Sequence, residues 1–520
     1  VPWVSYLLIA LSLSLPACNC DSLLAVFSDV AYTSDGRALV LEANDGIYVA
    51  RPPTDGPQRA TDRHCTDSPT HSLDCVRVSS NGRKLAVLSA PRVESGSKVW
   101  DLELIGMGEA SDGSNELEEP VSVAAGVLDA AFSQDARELL WAKPGSAADT
   151  VDVYRRASDG SEQELAREIS LGGASSSAAL EAIAISAWGI AYPRESEDAV
   201  EIWFKPFDGD SYDLGRLRSD CAGPQFSRCL LAGSDGATLV WQEKDSYVIH
   251  AFRAQRQVDL PLGQGYGFAF TRTGSYVLRM NSAPDSANVQ NLDTAVVARG
   301  IVGALSGELS ADGETVAFLK HDSTVLGTSR LFVGASRQDG RDRDCGLFEE
   351  SEVWPLVAQS MGKPGIDHSM TGDGRFVIVS TKASEEGYAN LLAVDTDTCA
   401  RRTLGAFACN RCCMAAPAGS MLVCLRPPGA GQSSSPIDLY DPVSGTKTTA
   451  GEKVIDLKVL FDGSGVAVLD DRGSIPEGFL ATKDGRVVSM GSALRFALSP
   501  QAGQIALLSG LGRLSVGPLP

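Results

Sequence analysis

The stretch HCTDSPTHSLDC, residues 64 to 75, brings two imidazoles and two thiols into twelve residues. His64, Cys65, His71 and Cys75 make a donor set that suits zinc, whose tetrahedral sites take nitrogen and sulfur ligands. Cys65 and Cys75 can also close a local disulfide, which in an oxidising compartment is the simpler chemistry. A second cluster, Cys409, Cys412, Cys413 and Cys424, contains a Cys-x-x-Cys pair of the redox-active type. No βαβ pattern surrounds it, and Cys424 falls on the following apolar run, where it can cross-link to one of the three; structural pairing is expected. Cys221 and Cys229 form a third close pair. Asp208, Asp210 and Asp213, and Asp395 with Asp397, offer oxygens of the kind calcium takes. Their spacing misses the EF-hand loop, and turns are rich in aspartate for their own reasons. His250, His321 and His368 stand far apart with no nucleophile motif beside them. The expectation from these groups is therefore disulfides, with no catalytic residue, no metal and no cofactor.

Composition narrows the classes of partner. The 520 residues, 43% hydrophobic and 21% charged, describe a folded body with core to bury. Sixty-six acidic against 45 basic residues leave a formal charge of −21, which repels phosphate backbones and argues against nucleic acid as a partner. Trp3 to Leu15, WVSYLLIALSLSL, is an apolar run of the length of a signal-peptide core and too short to span a bilayer as a helix. Leu15-Pro16-Ala17-Cys18 then resembles the bacterial lipobox. That resemblance implies a signal peptide over 1–17, lipidation at Cys18, a tether over 18–24, and a lipoprotein held at a membrane of the cell envelope, facing periplasm or exterior. With Cys18 lipidated, eleven of the twelve cysteines remain to be placed in an oxidising compartment.

The elements that must position these groups announce themselves by repetition. An Asp-Gly turn or its relative, followed by alternating apolar residues, recurs as TSDGRALVL (33–41), SSNGRKLAVL (79–88), SQDARELLW (133–141), SDGATLVW (234–241) and TRTGSYVL (271–278). It continues as SADGETVAFL (310–319), TGDGRFVIV (371–379), APAGSMLVCL (416–425), FDGSGVAVL (461–469) and SPQAGQIALL (499–508), with a degenerate copy, SAWGIAY (186–192), filling the one large gap. From Gly36 to Gly503 the turns span 467 residues in ten intervals, about 47 residues per unit, the length of one four-stranded propeller blade. Asp-Gly accepts positive φ and is expected to form two-residue hairpin turns, while alternation buries one strand face against a neighbouring blade. Several units carry a second hairpin, as at Asp159-Gly160, Asp208-Gly209 and Asp484-Gly485.

The repeated Ser-x-Asp-Gly phrase resembles the WD40-like repeat of TolB-type propellers, which also precedes the catalytic domain of prolyl oligopeptidase-like peptidases. The chain carries no Gly-x-Ser-x-Gly elbow for such a hydrolase. The expected fold is all-β, a β-propeller of ten or eleven four-stranded units, arranged as two propellers or as one unusually large or interleaved ring. A boundary is placed between 25–258 and 259–520. Ser22 to Phe27 is expected to add an outer strand to the last blade and close the ring. Function is expected in the irregular loops rather than in the repeated residues. The expectation is a non-enzymatic scaffold that binds an envelope protein or other envelope component. The alternative is a propeller enzyme with a site at the central channel assembled from single residues of several blades.

Overall fold

A computed structural model describes residues 27–518 apart from short stretches, the longest being 52–56, 64–72, 110–114, 172–178, 350–369, 382–388, 408–412 and 427–435. The described residues form eleven antiparallel sheets in chain order, eight of four strands, two of three and one of five. Within each four-stranded sheet the order is sequential, as a meander requires. The α-helical residues among them are confined to Phe226–Cys229. The expected all-β propeller is what the chain forms.

Blade seven shows how a few residues set the geometry. Its strands are Ala304–Leu309, Thr315–His321, Thr328–Ala335 and Arg343–Glu349. Between the first two, Ser310 N donates to Thr315 O at 2.9 Å and Gly313 N donates to Ser310 O at 2.8 Å. The hairpin loop is thus four residues long, not the expected two. The reason lies in the side chains. Ser310 Oγ accepts from Thr315 N at 2.9 Å and donates to Asp312 Oδ1 at 2.5 Å, and that carboxylate accepts from Glu314 N at 2.9 Å. Serine and aspartate together satisfy backbone groups that a longer loop leaves unpaired. Gly313 has a φ of 74° and lies so close to blade six that an added Cβ would meet Thr271 Cγ2 at 3.0 Å. The same device closes Ser133 with Asp135 and Thr371 with Asp373.

In blade three the glycine of this turn is Ala136, which holds a φ of 60°. An L-residue there costs about 1 kcal/mol or more against glycine, partly offset by the looser unfolded chain that glycine gives. Ala136→Gly is therefore expected to stabilise the protein by about 0.5 kcal/mol, read as a higher denaturant midpoint. A lower midpoint would show that packing of this buried methyl outweighs the backbone strain.

Both faces of each second strand are buried, and this builds the ring. Val316 and Phe318 pack on Leu278 and Met280 of blade six, while Ala317 and Leu319 pack on Val377 and Val379 of blade eight. Blades five and six meet in the same way through Val240 and Ile249 against Phe268 and Val277. The last blade, Arg495–Leu498, Gln504–Leu508 and Leu514–Pro518, packs on the first through Ala497, Ala506 and Leu508 against Val30, Leu39 and Leu41. Ser499 Oγ also donates to Gly36 O at 3.0 Å across that seam. The circuit closes as one ring of eleven blades. Residues 258 and 259, where two sets of repeats were expected to divide, begin the strand Val258–Gln264, the fourth of blade five. Of the strand expected over Ser22 to Phe27, residues 22–26 lie outside the described residues. Phe27 starts the first strand of blade one and pairs there with Ala43.

Candidate functional site

Antiparallel strands reverse direction at every turn, so the first and third turns of each blade share one face of the ring. On that face, blades three, four and five together enclose a cleft of about 710 Å³. Blade three contributes its first turn, Gln134, Asp135, Arg137 and Glu138, and Arg155 from the end of its third strand, Thr150–Arg156. Blade four contributes both of its turns, Ala187 with Trp188, and Pro206 with Phe207 and Asp208. Blade five closes the far side with Ala254, Gln255 and Gln257.

Trp188 is there because its turn is short. In SAWGIAY, Ser186 N donates to Gly189 O at 3.0 Å, so only Ala187 and Trp188 form the loop, two residues fewer than in blade seven. Ser186 Oγ accepts from Trp188 N at 3.1 Å and Gly189 N at 3.0 Å, doing the work that serine and aspartate share elsewhere. Phe207 N donates to Trp188 O at 2.9 Å and locks the two turns of blade four together. Gly189 has no room for a side chain: a Cβ would lie 2.3 Å from Lys205 O and 2.8 Å from Phe204 Cζ. The indole takes the slot of the usual aspartate and stands half-buried in the cleft.

Arg155 forms the floor, its side chain only 11% exposed. It donates to Asp208 Oδ1 at 3.0 Å across the seam between blades three and four, and its guanidinium lies 5.5 Å from the centroid of the Phe207 ring. Glu138 Oε2 is 3.7 Å from Arg155 Nη1. That oxygen is buried and takes part in no hydrogen bond. Burial pushes the Glu138 carboxyl above the usual range, with Arg155 pulling the other way and Asp135 and Asp208 adding to the rise. A buried acceptor without a donor is costly. Two guanidiniums and three carboxylates line the cleft, so it carries no surplus of positive charge for an anion.

The residues singled out by sequence fall mainly elsewhere. Asp208 does reach the cleft, but as the partner of Arg155 rather than as a cation ligand. Asp213 accepts from Gly215 N at an irregularity within the strand Tyr212–Arg218, and Asp395 accepts from Asp397 N and Thr398 N in its own turn. His250 stacks on Trp241 at 5.2 Å and hydrogen-bonds Asp259 at 2.9 Å. His321 ends the second strand of blade seven. Cys221 is joined to Cys229, and Cys413 to Cys424 directly across the first two strands of blade nine. Cys75 is also disulfide-bonded. Cys18, His64, Cys65, His71, His368, Cys409 and Cys412 lie outside the described residues. A further bond, Cys345 to Cys399, ties the last strand of blade seven to blade eight. Its separation of 54 residues hid it from a reading of local pairs. Trp188, Arg155 and Glu138 were likewise missed. Their signal was present as departure: SQDA for Ser-x-Asp-Gly in blade three, and a copy two residues short in blade four.

The class of protein these features define is a large β-propeller with a ligand-sized cleft on its turn face. No protein-family model and no curated protein matches the chain, whereas solved structures do. The chain is similar to TolB from Acinetobacter baumannii at 12% identity, over 58% of this chain and 79% of that one, with a TM-score of 0.25. It is similar to an oligogalacturonate lyase from Vibrio parahaemolyticus at 10% identity, over 68% and 88%, with a TM-score of 0.31. It is also similar to an oligogalacturonate lyase in complex with manganese at 12% identity, over 73% and 96%, with a TM-score of 0.32. These likenesses concern the fold. They overturn one expectation: that the chain is not an enzyme is not supported, because propellers with which it shares that fold include enzymes.

Proposed function

We propose that this chain is a recognition propeller held at a bacterial cell envelope, a lipoprotein anchored through Cys18, that takes its ligand in the turn-face cleft of blades three to five. The observation that carries the recognition half is the cleft itself, in which two consecutive blades depart from the repeat and place Trp188 beside the buried pair of Arg155 and Glu138. A ring uses its regular residues for packing, so residues that leave the pattern together on one face are free for binding. The apolar run before Cys18 supports the envelope half, as do disulfides that suit an oxidising compartment. The partner on this reading is an envelope protein or other envelope component. The test is fractionation of the full chain expressed in a bacterium: it should sediment with membranes and take up labelled fatty acid, and Cys18→Ala should abolish the labelling. Unlabelled, fully soluble wild-type protein would sink the anchored form.

A second reading, catalysis in the same cleft, is favoured by Glu138. A carboxyl that burial raises above its usual range holds its proton more tightly than an exposed one, a property that suits a general acid. Turnover of a cleft ligand that Glu138→Gln abolishes while leaving its binding intact would establish this reading.

A further inference from the structure

We infer that the cleft over blades three to five binds a neutral saccharide, with Trp188 as its stacking platform; this rests on the reading of that cleft as the recognition site. Three observations converge on the class of ligand. The first is the indole. Trp188 replaces a turn aspartate in a loop shortened by two residues, and it lines a cleft that mixes apolar Pro206, Phe207 and Ala254 with charged and amide side chains. A flat aromatic face beside polar groups suits a ring that is apolar on its C–H faces and polar at its edge, which describes a pyranose.

The second is the kind of polar group. Gln255 and Gln257 are exposed on the turn of blade five, and each amide offers both donor and acceptor. Asp135 and Asp208, on the turns of blades three and four, add carboxylate acceptors to the same cleft. Hydroxyl groups, each donor and acceptor at once, match this mixture. The third is charge. Arg155 already faces Asp208 and Glu138, and the exposed Arg137 lies 3.4 Å from Asp135, so the two guanidiniums of the cleft are outnumbered by three carboxylates. A uronic acid or phosphorylated sugar would meet more acid than base.

The test titrates the full-length protein with cellotriose, maltotriose, laminaritriose and chitotriose as neutral probes and trigalacturonate as the anionic one, by calorimetry and tryptophan fluorescence. The expected result is saturable binding of at least one neutral probe, weakened at least tenfold by Trp188→Ala. Gln255→Ala with Gln257→Ala, both on an exposed turn, should weaken it as well, which keeps the test decisive if the Trp188 variant misfolds. Trp188-dependent binding of trigalacturonate in preference to every neutral probe would overturn the neutral class and leave the cleft as the recognition site. Neutral binding untouched by either variant would overturn the site. No binding by any probe would overturn the saccharide inference, while fatty-acid labelling at Cys18 still decides the envelope reading.

Discussion

Phe204→Ala is expected to cost about 4 kcal/mol of stability, a value typical of a large buried aromatic removed from a close-packed core. Phe204 is fully buried on the third strand of blade four, Ala199–Pro206. Its ring centroid lies 4.9 Å from that of Phe252 in blade five and 5.6 Å from that of Tyr212 in its own blade. Both contacts are tilted, the arrangement aromatic pairs prefer. The residue is thus a rivet between two of the three blades that make the cleft. It also lies directly beneath Gly189, the residue that ends the Trp188 turn. The cavity left by the substitution should therefore loosen the seam and the turn together. Chemical denaturation should show the lost stability, and ligand binding should weaken even where the ring remains folded. A loss below about 1.5 kcal/mol would mean that the seam repacks freely, and the cleft would then not be the pre-formed site described above.

Arg155→Ala should cost less in stability and more in function. The substitution strands Glu138, whose side chain is only 13% exposed, without its compensating charge. Removing one partner of a buried pair is destabilising by several kcal/mol when the geometry is close. Here the 3.7 Å separation and the 94% exposure of Asp208 argue for the low end, about 2 kcal/mol. The pH dependence has a definite sign. Burial raises the Glu138 carboxyl in the folded state, so its contribution is fully present below the unfolded value and is lost as pH rises through the folded one. Without Arg155 the carboxyl rises further. The deficit of the variant should therefore be largest near neutrality and shrink as the pH falls into the carboxylate range. Pairing Arg155→Met with Glu138→Leu should recover most of the stability and none of the binding. A deficit that grows on acidification would overturn the assignment of Glu138 as the stranded group.

What could be read along the chain was what closes over a few residues. The turn of Ser310, Asp312 and Gly313 makes its hydrogen bonds within six positions. Residue type and order therefore suffice to specify it, and its spacing counts the blades. The alternation of Val316 and Phe318 against Ala317 and Leu319 likewise announced strands sandwiched between neighbours. The turn is nonetheless four residues long where Asp-Gly alone implies two, because the serine hydroxyl also bonds the backbone.

The site was not legible, for a physical reason. Glu138, Trp188 and Gln257 are spread over three repeats, and each is unremarkable in its own window. They meet only because blades stack side by side at a fixed angle, a property of packed side chains such as Phe204 and Phe252 that no local pattern encodes. The same holds for the disulfide from Cys345 to Cys399 and for closure of the ring by Val30, Leu39 and Leu41 on Ala497, Ala506 and Leu508. By itself the sequence determined the blade, the positions of its turns and a count of ten or eleven, since short-range hydrogen bonds and period-two burial are local. Only the tertiary structure decided that eleven blades share one ring and that the departures from the repeat face a common cleft, since both depend on contacts between residues far apart in the chain.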